Sequence, residues 1–172
     1  MGSLRKDSYN KSLLRTAGEM MPENVEFEMA DISALPLYNN DLLENMPEVA
    51  RELKAKIKGA DAILIATPEY NYSFSGVLKN AIDWASRPMT ENSFDGKPLA
   101  IMSASIGLLG GARAQYQLRQ VFVALNTKTL NRPEIMVNFA AKKFDEVGKL
   151  IDEETRDKVQ ELVKTLIESI EK

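Results

Sequence analysis

The stretch "AILIATPEYNYSFSGVLKNAIDWASRPMTENSFDGKPLAIMSAS", residues 62–105, decides the fold. Its ends, "AILIAT" and "PLAIMSAS", are short continuous apolar runs of the kind buried on both faces of a sheet. Between them Val77, Leu78, Ala81, Ile82 and Ala85 recur at helical spacing. A strand, a helix and another strand in succession need a crossover connection, and a crossover brings the strands together in parallel.

The same alternation continues in both directions. Upstream, Leu13, Leu14, Ala17, Met20 and Met21 mark one helix face. Val25, Phe27 and Met29 then alternate with Glu26, Glu28 and Ala30 as in a half-exposed strand, and Val49, Leu53 and Ile57 make a further helical stripe. Downstream, Ala114, Leu118, Val121, Phe122 and Leu125 precede the strand candidate "PEIMVNF". Val159, Leu162, Val163, Leu166, Ile167 and Ile170 form a closing amphipathic helix whose charged face reads as solvated surface. The expected architecture is a doubly wound parallel α/β sheet with helices on both faces, spanning residues 1–172 as a single domain. The strand near Val25 belongs at an edge and the two continuous runs in the interior.

Composition narrows the chemistry. The 172 residues contain neither Cys nor His, which removes thiolate and imidazole nucleophiles, bases and metal ligands. An enzyme built from this chain would lean on a bound cofactor, and no metal ligand set is expected. The formal charge of −3 gives no general footprint for nucleic acid. With no signal peptide and no apolar run of membrane-spanning length, a cytoplasmic location without membrane contact is the expectation.

In open α/β sheets ligands bind beyond the carboxyl ends of the strands, and three segments should meet there. The first, "GSLRKDSYNKS", places Ser3, Arg5, Lys6, Ser8 and Asn10 before a helix. Hydroxyls, helix N-terminal amides and cations suit a phosphate, although capping by Asp7 or Ser8 beside ordinary surface cations accounts for the same residues. It is neither a Walker loop nor a GxGxxG turn. The second, "TPEYNYSFSG", offers hydrogen-bonding groups beside aromatic rings. That combination suits a flat heteroaromatic ligand, or simple packing of Tyr70, Tyr72 and Phe74 between loop and helix. Ser75 is positioned to cap the next helix, and Trp84 belongs to the core. In the third, "SASIGLLGGAR", Ser103 and Ser105 close a buried strand, and Gly107, Gly110 and Gly111 serve close approach or turn geometry. The long polar loop "DISALPLYNNDLLENMP" could add to the same site.

Together "GSLRKDSYN", "PEYNYSFSGVLKNAIDWASRP" and "GLLGGARAQYQLRQV" resemble the flavodoxin-like NADPH-dependent FMN reductase family, most closely its bacterial chromate and quinone reductase branch. The resemblance covers nearly the whole chain. It implies a sheet of strand order 2-1-3-4-5, bound FMN, and NADPH or NADH as donor. It also implies hydride transfer through the flavin to a small-molecule acceptor: a quinone, a flavin, an azo compound or a metal oxyanion such as chromate. It places the phosphate loop on Ser3, Arg5, Ser8, Tyr9 and Asn10, the ring-binding loop on Pro68, Glu69, Tyr70, Asn71 and Tyr72, and a flavin contact on Ser105. No protein acid, base or nucleophile is required, so no catalytic residue is named. The resemblance further implies a homodimer or homotetramer with Arg113, Tyr116, Gln117 and Arg119 at a subunit contact, Glu134 being a partner for Arg113.

One departure matters. Relatives carry a hydrophobic strand before the GSLR loop, whereas here Met1 directly precedes Gly2, so the first strand is expected to be missing and this sequence to start inside the natural one. The competing readings are a flavodoxin-like electron carrier, slow with NADPH, and a nucleotide-binding module without flavin.

Overall fold

The apolar runs form the two longest strands, β1 (Ile63–Thr67) and β2 (Pro98–Ala104), in the computed structural model, which describes residues 1–170. They pair in parallel from Ile63 opposite Leu99 to Thr67 opposite Ser103. All seven β2 residues are buried, which is why that run carries no polar alternation. Even-numbered Ala100, Met102 and Ala104 face one core with Leu13, Leu14 and Ala17 of α1 (Tyr9–Glu19) and Val159, Leu162 and Val163 of α5 (Glu153–Glu168). Odd-numbered Leu99 and Ile101 face a second core with Leu78, Ile82 and Ala85 of α3 (Gly76–Ser86) and Leu118 and Phe122 of α4 (Ala112–Ala124). The helix α2 (Glu48–Gly59) packs beside α3 through Leu53 and Ala81. Helices therefore cover both faces of a parallel sheet, and no described helix is long and apolar enough to cross a membrane.

Three expectations change. The strand expected in "PEIMVNF" is only β4 (Ile135–Val137), and a two-residue β3 (Lys128–Thr129) pairs with the start of β2 where none was expected. Residues 24–30 keep the predicted alternation, Val25, Phe27 and Met29 being half-buried between exposed Glu26 and Glu28, but they form no ladder. β1 is accordingly an edge strand, half-buried at Ile63 and Leu64 rather than interior. The last two changes share a cause: an apolar trough of about 500 Å³, lined by Val25, Phe27, Ile57, Ile63, Leu64 and Leu166, separates the 24–30 segment from β1. Extended chain becomes a strand only when its amides reach a partner.

Helix starts follow their capping residues. Ser8 accepts from the Lys11 amide, Ser75 from the Leu78 amide and Asp152 from the Thr155 amide. The Asp152 carboxylate also accepts from the Thr155 hydroxyl and faces Lys143 Nζ at 3.3 Å. These groups, the hydroxyl first, hold its carboxyl below the ordinary 3.8. A depressed folded value means stabilisation present above the unfolded value and lost as pH falls from about 4 through the lower folded one. Asp152→Asn is therefore expected to flatten the acid limb of the stability curve, as read by denaturant melts at successive pH values. Parallel acid limbs in the two proteins would exclude this contribution.

Candidate functional site

The three segments expected to meet at the carboxyl ends of the strands are bonded to one another. Gly2 ties the first to the second: its N–H donates to Ala66 C=O at 2.8 Å, and its C=O accepts from the Ser75 hydroxyl that caps α3. A Cβ at Gly2 would lie 3.0 Å from Thr67 Oγ1 and 3.1 Å from Ala66 C=O, so the loop hugs the end of β1. Asn10 ties the first to the third. Its Oδ1 accepts from Ala104 N–H and its Nδ2 donates to Ala104 C=O, both at 2.9 Å. β1 has turned away at Pro68 by that level, and the Asn10 carboxamide occupies the place of the next ladder partner of β2.

Glu69 ties the second to the third. α4 begins after Gly111, which has no side chain to cap its first amides. Glu69 Oε2 takes that part, accepting from the amides of Arg113 at 3.1 Å and Ala114 at 3.4 Å, while Oε1 pairs with Arg113 Nη1 at 3.0 Å. A carboxylate there is favoured by the helix dipole as well as by the bonds. The Arg113 guanidinium lies 3.7 Å from the centroid of the Tyr72 ring, and Gln117 Nε2 donates to Tyr72 C=O at 2.9 Å. Within the chain Arg113 thus pairs with Glu69, while Glu134 faces Arg132.

Each predicted site residue can now be placed. Ser3 and Ser8 are buried, and the Ser3 hydroxyl accepts from the Arg5 amide. Arg5 folds back, donating to Asp7 C=O and lying 5.6 Å from the Tyr9 ring centroid, and Tyr9 packs on Phe144. The first turn of α1, with the Tyr9 and Asn10 amides free of intrahelical partners, opens beside these hydroxyls and the guanidinium. Tyr70 and Ser73 exchange hydrogen bonds at 2.8 and 2.9 Å, closing a two-residue turn with Asn71 (φ 49°) and Tyr72 (φ 69°) both left-handed. Asn tolerates that conformation, whereas Tyr there costs on the order of 1 kcal/mol. Both tyrosines and Asn71 are exposed on this closed turn. Ser105 donates its amide to Val137 C=O at 2.9 Å, and its hydroxyl accepts from the Gly107 amide.

Two roles escape sequence reading. Asn10, expected beside phosphate, spends its carboxamide on β2, and Glu69, expected beside the ring system, spends its carboxylate on α4. A capless helix start at Gly111 was a usable signal that a carboxylate must come from elsewhere. The trough along β1 is chiefly aliphatic, so the loop cluster, where donors converge, is the candidate site.

Comparison with known proteins gives this arrangement its relatives. A model of the NADPH-dependent FMN reductase family matches residues 1–142. The chain is 49% identical over 166 residues to an NAD(P)H-dependent FMN reductase of Pseudomonas aeruginosa, covering 96% of this chain and 89% of that protein. It is 44% identical over 160 residues to a 2-hydroxy-1,4-benzoquinone reductase of a Burkholderia species, covering 93% and 87%. Among solved structures, the flavoenzyme NAD(P)H:(acceptor) oxidoreductase FerB of Paracoccus denitrificans superposes with a TM-score of 0.90 at 39% identity, covering 99% of this chain and 93% of that one.

Proposed function

The chain belongs to the NADPH-dependent FMN reductase family and is an FMN-dependent NAD(P)H oxidoreductase, and from that premise we propose that its loop cluster binds FMN and reduces quinones and free flavins, with azo compounds and metal oxyanions such as chromate as further acceptors. The observation that carries the reading is the bonded junction of the three loops through Gly2, Asn10 and Glu69. Bound there, FMN would supply two-electron chemistry, taking a hydride from the nicotinamide and passing electrons to the acceptor, which a chain without Cys or His cannot supply itself.

The residues present fit that group. Ser3, Arg5, Ser8 and Tyr9 would hold the phosphate through hydroxyls, the α1 amides and one guanidinium. Asn10 would act by fastening that loop to β2. Pro68, Tyr70, Asn71 and Tyr72 would border the flat ring system, Ser105 would meet its polar edge from the third loop, and Glu69 would act from behind. The chain's task is then to align donor and acceptor and exclude water rather than to move protons.

The same reading assigns residues 24–30 the outer place in a sheet of order 2-1-3-4-5, across the trough from β1. N–H and C=O of one strand residue point the same way. Because Ala66 C=O accepts from Gly2, Leu64 and Ala66 turn their polar groups to the trough. A homodimer or homotetramer built on the exposed Tyr116 and Val123 of α4, in the cytoplasm, completes the proposal.

One preparation tests it. The purified protein incubated with FMN is expected to retain a flavin spectrum that bleaches promptly with NADPH under anaerobic conditions, to turn over NADPH with a quinone, and to scatter light as an oligomer. No retained flavin would overturn the cofactor site, slow bleaching the reductase reading, and a monomer the assembly.

A further inference from the structure

Nothing in direct contact with a ring-shaped ligand explains why two side chains of α4, Arg113 and Gln117, and the Glu69 carboxylate converge behind the Asn71–Tyr72 turn. The turn is intrinsically unfavourable, since two successive left-handed residues without glycine survive only when their surroundings over-determine them. Its own hydrogen bonds close the ring between Tyr70 and Ser73 but do not fix where it sits. Position comes from α4: Gln117 grips the Tyr72 carbonyl, Arg113 sits over the Tyr72 ring, and Glu69, just before the turn, locks the helix start and the guanidinium together.

From this we infer that Glu69 is a positioning residue, clamping the strained turn to the N-terminus of α4, and that the clamp tunes the flavin. The inference rests on the proposed placement of the ring system beside residues 68–72. Glu69 is well suited to the part. Its carboxylate is largely shielded, with 13% of the side chain exposed, so its bonds are less screened than those of a surface ion pair. It also neutralises two positive features at once, the α4 dipole and Arg113. Converting it to an amide leaves both uncompensated next to the site, and net positive charge there favours the electron-rich reduced flavin. Glu69→Gln should therefore raise the midpoint potential of bound FMN as well as loosen the turn.

The test separates the clamp from the reading beneath it. In flavin-free protein, the Tyr70 and Ser73 amides are expected to exchange about tenfold faster in Glu69→Gln than in the wild type, the size that loss of one charge-assisted contact implies. In the loaded protein, FMN Kd should rise by a similar factor and the midpoint potential should move up. Gln117→Leu, an exposed substitution that leaves the carboxylate alone, should speed the same amides by a smaller factor with no change in potential. Unchanged exchange in both variants would overturn the clamp. Faster exchange with unaltered FMN affinity and potential would overturn its link to the flavin. Failure of the wild type to bind FMN would count against the placement of the ring and leave the exchange result to decide the clamp.

Discussion

Asn10→Ala is expected to lower the unfolding midpoint of the flavin-free protein by roughly 10 °C and to weaken FMN binding by well over tenfold. Asn10 is 3% exposed, and its carboxamide satisfies both polar groups of Ala104. Removing it orphans a buried N–H and a buried C=O, each costing about 1–3 kcal/mol, where a chain of this size loses about 2–4 °C per kcal/mol. Water can reach only part of the gap, because Ala104 is buried at the end of β2 in the core shared with α1. The binding loss has a separate origin, since the loop carrying Ser3, Arg5 and Ser8 would be fastened to β1 through Gly2 but no longer to β2. Asn10→Asp tells the two apart. It retains an acceptor for the Ala104 amide but sets an anion against the Ala104 carbonyl and near the proposed phosphate, so its affinity loss should exceed its stability loss. Thermal melts with and without FMN measure both. A melt within about 1 °C of the wild type in Asn10→Ala would show that the ladder contact contributes nothing.

The division between what was legible and what was not follows the range of the interactions. β2 was legible because burial on both faces leaves a run of seven residues in which Ser103 is the one polar side chain and no polar alternation appears. The caps at Ser8 and Ser75 and the core position of Trp84 were legible because each depends on near neighbours at fixed spacing. Val25 to Met29 shows the limit of periodicity: the alternation reports correctly which side chains turn inward, yet a strand exists only if a partner's amides lie within reach. The region around "PEIMVNF" shows another, since β2 pairs on that side with two short pieces, Lys128–Thr129 and Ile135–Val137, that no pattern marks as one edge.

At the candidate site the residue types were legible and their tasks were not. Asn10 and Ala104 lie 94 residues apart, and Glu69 and Arg113 lie 44 apart. Nothing local tells whether a carboxamide or a carboxylate in a binding motif faces a ligand or another stretch of main chain. The polar side chains that assemble the junction are therefore the ones most easily mistaken for ligand contacts, and structural bonds of this kind are what keep a ligand loop in one conformation.

Gly110→Ala is the second large effect, and it probes the third loop at its narrowest point. Gly110 has φ 59°, and a Cβ there would lie 2.6 Å from both the carbonyl carbon and oxygen of Met136 and 3.0 Å from the Asn138 amide. These are backbone atoms of β4 and the residue after it, and they cannot swing aside as a side chain would. The loop must lift instead. Lifting breaks the bond from the Ser103 hydroxyl to Gly110 C=O at 2.6 Å, and it disturbs buried Gln115, whose Nε2 holds Ser103 Oγ and Ile135 C=O at 2.8 Å each. Left-handed strain of about 1–3 kcal/mol plus one lost buried bond of about 1 kcal/mol predicts a destabilisation of roughly 3 kcal/mol. The functional loss should be larger than stability alone explains, because Gly110 is two residues before α4 and lifting it moves the helix start that Glu69 grips. FMN affinity and the protection of the Tyr70 and Ser73 amides are then expected to fall together. Gly107→Ala is the control: its Cβ would meet only Ser105 Oγ, at 3.7 Å, so an ordinary surface effect within about 0.5 kcal/mol is expected. If Gly110→Ala were as mild as that control, the close approach of the third loop to β4 would not be what holds the site together.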